Sequence, residues 1–480
     1  MKEGYIKQAD RKKILLLCDD IRFTSGIATM AKEIVVGTAH RYNWVNLGGA
    51  INHPDAGKRL DLSEDTGKHA GIPDASVLVY PNNGYGDANI VRQLIQIEKP
   101  DAIMFFTDPR YWTWLFQIEN EIRRKIPMIY LNIWDDLPAP LYNKAYYESC
   151  DTLMAISKQT RNINRMVLGD KADDKIIKYV PHGIDETVFY PITPDMPEHS
   201  KELAEMREKF FGKEQPEFVV LYNARNIRRK STSDLVAGYA MFCDNIGKEK
   251  AKKCRLLMHT QPIDENGTDL LAVTDLLCDP EYQKVVFSNN RFLPQQMNML
   301  YNLSDVVALV SSNEGWGLSL TEGMMCGRMI IGTVTGGMQD QMRFENEKGE
   351  WIDFDDKFCS NHYGTYKKHG KWAVPVYPSN LSLVGSVPTP YILDDRADFR
   401  DVAKAIEEVY NLSPEERAAR GREAREWVTS DESMQSSRWM AMNVIDAVDQ
   451  TFEKWKPRKA FELIKAEDLP RKKLVHPLVY

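Results

Sequence analysis

The sequence predicts an α/β protein of two doubly wound units in tandem. Three observations predict it. Short apolar runs of strand length alternate with amphipathic helical patterns. The alternation occurs twice, broken by the three prolines between positions 191 and 197. The runs are continuously apolar, as strands covered on both faces of a parallel sheet are.

The first unit opens with an apolar run at 13–18, a turn at Asp19 to Gly26, and a helical pattern at 27–37. Strands are predicted at 76–80, 101–106, 128–133, 151–156 and 176–180, with helices at 87–98, 111–125 and 157–168. The run 191–197 reads as a linker. The second unit has strands at 218–222, 255–259, 285–288, 305–310 and 329–332. Its helices are predicted at 233–246, 294–303 and 318–325. From 342 to 395 the alternation stops in a stretch rich in Gly, Pro, Tyr, Trp and Lys, read as an irregular insertion. Helices return at 397–412, 414–429 and 433–455, and a basic, proline-punctuated tail covers 456–480. The domain division is therefore 1–190, 191–432 with the insertion 342–395, and 433–480.

At 480 residues the chain is too long for one ordinary domain. Its 43% hydrophobic and 27% charged residues are those of a soluble globular protein. A net charge of −7 argues against a strongly basic nucleic-acid binder. The seven cysteines are scattered and form no C-x-x-C pair, which predicts reduced thiols and no zinc site. No apolar leader precedes 13 and no run reaches the ~18–20 residues that span a bilayer. A cytoplasmic protein is expected, and a membrane-bound acceptor remains compatible with it.

The stretch from Ser311 to Gly327, SSNEGWGLSLTEGMMCG, carries the chemistry. It reads as strand, glycine turn and helix start. A helix start presents unpaired N–H groups and the positive end of a dipole, which suit a phosphate. Glu314 and Glu322 bracket it. Phosphate affinity and carboxylates on one loop fit a ligand with both phosphates and hydroxyls, as a nucleotide sugar has. The plainer alternative is a turn with one exposed and one salt-bridged glutamate. A second motif, Asn223-Ala-Arg-Asn-Ile-Arg-Arg-Lys230, follows a strand; alone it reads as a solvated basic loop.

The pattern E-G-[FWY]-G-L-x-x-x-E-G-M-x-x-G resembles the retaining glycosyltransferases of family 4, with their E-x7-E motif. That family has the GT-B fold, two Rossmann-like domains facing a central cleft. The resemblance runs from about 13 to 455, strongest in the second unit. It implies an enzyme that moves a sugar from a nucleotide-diphosphate sugar, UDP-sugar favoured, to an acceptor hydroxyl. It implies that Glu322 accepts from both ribose hydroxyls and that Glu314 faces the transferred sugar. The N–H groups of Gly317, Leu318 and Ser319 would meet the sugar or diphosphate. Arg225 and Lys230, five apart, match the family's cations and would neutralise the leaving diphosphate. Gly26 matches the first-domain loop that closes over the phosphates, although the family's glycine pair is reduced to one. The last helix is expected to return to the first domain.

Other segments are less specific. Pro181-His-Gly-Ile-Asp185 resembles the family's interdomain turn, where His182 either faces the cleft or is structural. Trp134-Asp135-Asp136 stands where many members carry a His. Asp135 or Asp136 either orients the acceptor hydroxyl or caps a turn. Thr335-Gly-Gly-Met-Gln-Asp340 resembles a glycine pair shaping the nucleotide pocket floor. Asp353-x-Asp355 does not follow a strand, so it is read as incidental, and no cofactor or obligatory metal is expected. The acceptor is not readable: a glycan, a lipid-linked glycan, a protein or a hydroxymethylated DNA base are candidates. The aromatic, basic segment 363–372 would suit a polyanion, or it simply covers the cleft. Two alternatives are a non-catalytic nucleotide-sugar-binding protein and a sugar-nucleotide epimerase on the same fold.

Overall fold

The computed structural model describes residues 4–461 and 465. Most of the predicted tail 456–480 lies outside them. The first sheet has eight strands: β1 (Lys12–Asp19), β2 (Tyr42–Ala50), β3 (Leu60–Asp61), β4 (Val77–Asn83), β5 (Ala102–Phe106), β6 (Met128–Asn132), β7 (Thr152–Ala155) and β8 (Ile176–Tyr179). Their order is β3-β4-β2-β1-β5-β6-β7-β8. Only the short β3–β4 pair is antiparallel. Residues 14–18 and 102–106 are fully buried, as the unbroken apolar runs require.

The second sheet has six parallel strands: β9 (Phe218–Asn223), β10 (Cys254–His259), β11 (Val285–Ser288), β12 (Val306–Leu309), β13 (Met329–Thr333) and β14 (Ala373–Val376). Their order is β11-β10-β9-β12-β13-β14. An antiparallel hairpin follows, β15 (Asn380–Ser386) and β16 (Thr389–Arg396). Each parallel sheet has one point where the strand order reverses, between β1 and β5 and between β9 and β12. Ligands in such sheets sit outside the carboxyl ends of the strands at that point. The loops there are 19–26 and 107–112 in the first unit, and 223–230 and 311–317 in the second.

Several elements differ from the sequence expectation. β2 was not predicted, because Asn43 and Asn46 interrupt its apolar run. Asn46 is fully buried; its amide nitrogen donates to the Leu16 carbonyl at 3.2 Å. The helix expected at 111–125 is broken into a tight turn at Pro109–Trp112 and two short helices, Thr113–Gln117 and Glu119–Ile122. A helix at Pro197–Phe211, begun by its proline, follows directly on the predicted linker. The insertion 342–395 is not irregular throughout. It supplies the edge strand β14, paired with β13 from Ile330↔Ala373, and then the hairpin.

The chain crosses between the units twice, and the crossings pair. Ile184 and Ser436 form a parallel bridge, with Ile184 N donating to Gln435 O and Ser437 N to Ile184 O, both at 3.0 Å. Gly183 is required there: a Cβ would stand 2.2 Å from the Ser436 carbonyl oxygen. The helix Ser437–Lys454 then lies on β7, β8 and the helix Gly26–Thr38. Asp449 accepts from Arg41 at 2.6 Å and from Tyr42 at 2.7 Å.

Candidate functional site

The site is built on the strand-turn-helix after β12. Gly317 has φ +91°, which only glycine adopts cheaply, and it caps the helix Leu318–Met325. The N–H groups of Leu318 and Ser319 open that helix, where no intrahelical acceptor exists for them. Gln341 donates to the Gly317 carbonyl at 3.0 Å and to Thr321 at 2.7 Å, fixing the turn from below. The pair Gly336-Gly337 closes against it: Gly337 N donates to Glu314 O at 3.0 Å, and a Cβ at 336 would lie 2.0 Å from that oxygen. That close approach, with a Cβ at 337 only 2.2 Å from Gly315 O, requires glycine at both positions.

Glu314 is buried and is the hub of the charges. Its Oε2 accepts from Lys230 Nζ, from Arg229 at 3.3 Å and from Ser311 Oγ at 3.1 Å. Burial raises its carboxyl, but Lys230 and Arg229 outweigh burial and hold it at about 2. Lys230 is equally buried, and that burial lowers its ammonium despite Glu314. Arg229 also donates to Asn313 O at 2.7 Å. Arg225, expected to act with Lys230, is exposed, and its Nε donates to Asp264 at 2.8 Å. The short turn Arg228–Lys230, closed by Ser231 at φ +50°, instead buries Lys230 and brings Arg229, its side chain 43% exposed, to Glu314.

Glu322 sits one helical turn into Leu318–Met325 and accepts from the Tyr301 hydroxyl. Tyr301 in turn accepts from Asn223 at 2.7 Å. Burial lifts the Glu322 carboxyl to about 7. The sequence did not single out Tyr301; its place on the helix Pro294–Asn302 gave no polar signal.

The first unit meets this turn directly. A Cβ on Gly26 would lie 3.4 Å from Leu318 Cδ1, and one on Gly315 would lie 3.0 Å from Ile133 O. Ser25 caps the helix that Gly26 begins, accepting from Ala28 N at 3.0 Å. Asp135 and Asp136 follow β6 and lie near Arg229 and Glu314. Burial raises both carboxyls, and Arg229 only partly opposes it. Oδ1 of Asp136 is buried with no hydrogen-bond partner among the described residues. Trp134 is a strut: its Nε1 donates to Asp136 O at 3.1 Å and its ring packs on Tyr142. His182 is packed edge-on between Phe106 and Trp316, and burial drives its pKa to about 3. It is a neutral seam residue rather than a cleft group.

Asp340 reaches across the units. Its Oδ2 accepts from Lys158 N at 2.9 Å and from the Tyr179 hydroxyl at 3.1 Å. Asp353 pairs with Arg161 at 2.5 Å, so it is an interdomain tie. The hairpin walls the remaining side. Leu393 N donates to Leu137 O at 2.7 Å, and Asn313 donates to Leu393 O at 2.6 Å. A separate cavity of about 750 Å³, lined by Phe210, Arg255, Cys278 and Lys284, lies at the β11 edge and contains none of these groups.

Residues 281–357 match the family model described as glycosyl transferases group 1. That span includes the whole strand-turn-helix. Mannosylfructose-phosphate synthase of Agrobacterium fabrum is 25% identical over 197 residues, 40% of this chain and 39% of that protein. The chain thus aligns with well under half the length of the curated relative it matches. Among solved structures, Anabaena HepE in complex with UDP and glucose superposes with TM-score 0.62 at 14% identity, over 92% of this chain and 100% of that one. Sucrose-phosphate synthase from Thermosynechococcus elongatus superposes with TM-score 0.64 at 14% identity, over 92% and 100%. The fold is that of the GT-B glycosyltransferases, and no helix among the described residues is long and apolar enough to cross a membrane.

Proposed function

We propose that this chain is a retaining glycosyltransferase of the family 4 type. It moves a sugar from a nucleotide-diphosphate sugar, with UDP favoured, to an acceptor hydroxyl. The observation that carries the reading is the convergence of Glu314, Lys230 and Arg229 beside the start of Leu318–Met325, with Glu322 one turn further on. Sugar and phosphate recognition are then supplied by two adjacent loops of one sheet, after β9 and after β12, with the helix that follows the second. The group 1 family match over 281–357 and the UDP-bound structural neighbour support it.

Glu322 accepts the two ribose hydroxyls, as paired carboxylate oxygens can. The helix start, Arg229 and Lys230 take the diphosphate, so the reading calls for no obligatory metal. Glu314 holds the transferred sugar and keeps Lys230 in place until the diphosphate shares that ammonium. In the transfer, the bond from the anomeric carbon to the phosphate oxygen breaks as the bond to the acceptor oxygen forms on the same face. The acceptor proton passes to the departing diphosphate oxygen. The protein works by positioning and by stabilising charge on the leaving group. Gly26 and Ile133, packed on the donor turn, exclude water that would otherwise hydrolyse the donor.

Calorimetric titration with UDP, GDP and ADP tests the donor half. UDP is expected to bind tightest, with affinity lost in Glu322→Ala. Release of nucleoside diphosphate from the sugar donor tests the transfer half and is expected to collapse in Lys230→Ala. Equal binding of all three nucleotides, or unchanged kinetics in both variants, would sink the reading.

A further inference from the structure

The turn after β9 and the loops that face it carry opposite charge. The donor wall presents Arg228, Arg229 and Lys230 in one turn. The facing loops of the first unit, at 19–26, 50–59, 83–87, 107–112 and 133–140, hold seven aspartates and four cations. All four cations are already engaged. Arg22 grips Asp20 at 2.7 Å and Asp55 at 3.0 Å. Lys58 shares Asp55 at 2.8 Å. Arg59 donates to the Tyr80 hydroxyl at 3.2 Å. Arg110 makes a two-pronged contact with Asp108, its Nε at 2.8 Å.

Beside the engaged cations this wall is acidic and aromatic. Asp135 and Asp136 share a side-chain hydrogen bond beside Arg229, and the buried Oδ1 of Asp136 has no other partner among the described residues. The rings of Tyr85 and Tyr111 lie 4.6 Å apart, Tyr111 is 53% exposed, and the Tyr85 hydroxyl donates to Asp19 at 2.8 Å. Carboxylates accept from hydroxyls, and ring faces suit the apolar faces of sugar rings. Among the described residues of these loops, a phosphate would find every cation already engaged.

Resting on the donor reading above, we infer that the acceptor is an uncharged, polyhydroxylated sugar whose hydroxyls are received by Asp135 and Asp136. Sugar phosphates and nucleic acids are rejected by the same wall. The carboxylates orient the acceptor hydroxyl toward the anomeric carbon held by Glu314, and Tyr85 and Tyr111 form the platform for the sugar beyond it.

The test uses the full chain, UDP-glucose and matched acceptors: glucose with glucose 6-phosphate, fructose with fructose 6-phosphate, and a duplex bearing 5-hydroxymethylcytosine. UDP affinity is measured first by calorimetry; its absence fails the donor reading itself. Once UDP binding is established, kcat/KM with UDP-glucose as donor is expected to be at least about tenfold higher for the neutral sugar of a pair. Preference for the phosphorylated partner, transfer to the duplex alone, or no transfer to either neutral sugar overturns the inference and leaves the donor reading standing. Asp136→Asn and Asp135→Asn are each expected to raise KM for the neutral acceptor about tenfold with UDP affinity unchanged. An unaltered KM in both variants also overturns it, and retained UDP affinity reports that each variant is folded.

Discussion

Lys230 and Glu314 form a buried ion pair, each residue 8% exposed, near the point where the two units meet. Removing one partner of such a pair strands the other charge, a loss of about 3–5 kcal/mol. Glu314→Gln is therefore expected to lower Tm sharply and abolish transfer. Glu314→Gln combined with Lys230→Met removes both charges and is expected to regain most of the lost Tm while transfer stays absent. Thermal unfolding with a nucleoside-diphosphate release assay separates the two effects. A double variant no more stable than the single one would mean that the pair is not coupled as described.

Arg229, not Arg225, touches Glu314. Arg229→Ala is expected to reduce kcat by about a hundredfold, the scale of losing one donor to a developing anion. Arg225→Ala breaks only an exposed pair with Asp264 and is expected to change kcat less than about threefold. Steady-state kinetics on the two variants decides between them, and a larger loss in Arg225→Ala would reverse the assignment.

Glu322 predicts a pH dependence in two opposite directions. Burial lifts its carboxyl from 4.5 to about 7. The ionised form accepts both ribose hydroxyls, so UDP affinity is expected to weaken as pH falls through about 7, approaching tenfold per pH unit below it. For the empty protein the sign is reversed. The folded state binds the proton more tightly than the unfolded one, so stability is highest below about 4.5 from this group and falls as pH rises toward 7. Glu322→Gln should raise the Tm of the empty protein above pH 7 while weakening UDP binding and flattening its pH profile. Calorimetry and thermal unfolding across about pH 5.5–8.5 read both. A wild-type UDP affinity that is flat over that range would contradict the role.

Gly183 sits where the two crossings touch. Gly183→Ala places a Cβ against the Ser436 carbonyl, and the backbone must part to accept it. A cost of about 3 kcal/mol is expected, the upper end for steric intrusion into a packed interior. Because Ile184–Ser436 aligns the units, kcat should fall along with Tm. Ser436→Ala, which leaves the carbonyl in place and removes only the side-chain cap of Ser437–Lys454, should cost about 1 kcal/mol and affect kcat less. Equal effects of the two substitutions would argue against the steric account.

The fold was legible where one physical signal dominated. The buried runs of β1, β5, β6 and β12 are unbroken apolar stretches, and no competing pattern disguises them. The helix Leu318–Met325 was readable at its bounds because a glycine demands the turn and the apolar pattern begins just after it. β2 was hidden because its buried asparagines donate to the carbonyls of Gln8 and Leu16, a tertiary compensation invisible along the chain. β14, Ala-Val-Pro-Val, was hidden by a proline tolerated on an edge strand. The site was legible in its residue types more than in their directions. The family resemblance favoured Arg225 with Lys230, whereas the turn closed by Ser231 at φ +50° brings Arg229 to Glu314. His182 and Asp340 carry polar side chains that suggested a cleft, but the packing of two sheets gave them a seam to fill.

The helix Ser437–Lys454 covers β7, β8 and the helix Gly26–Thr38, elements encoded some 260 to 410 positions earlier. During synthesis, that face of the first unit stays uncovered until nearly all of the second has left the ribosome. The unit made first is thus the unit finished last, and its apolar back is open to other chains throughout the interval. Shortening the chain before position 437 would produce not a smaller independent module but a nascent state made permanent.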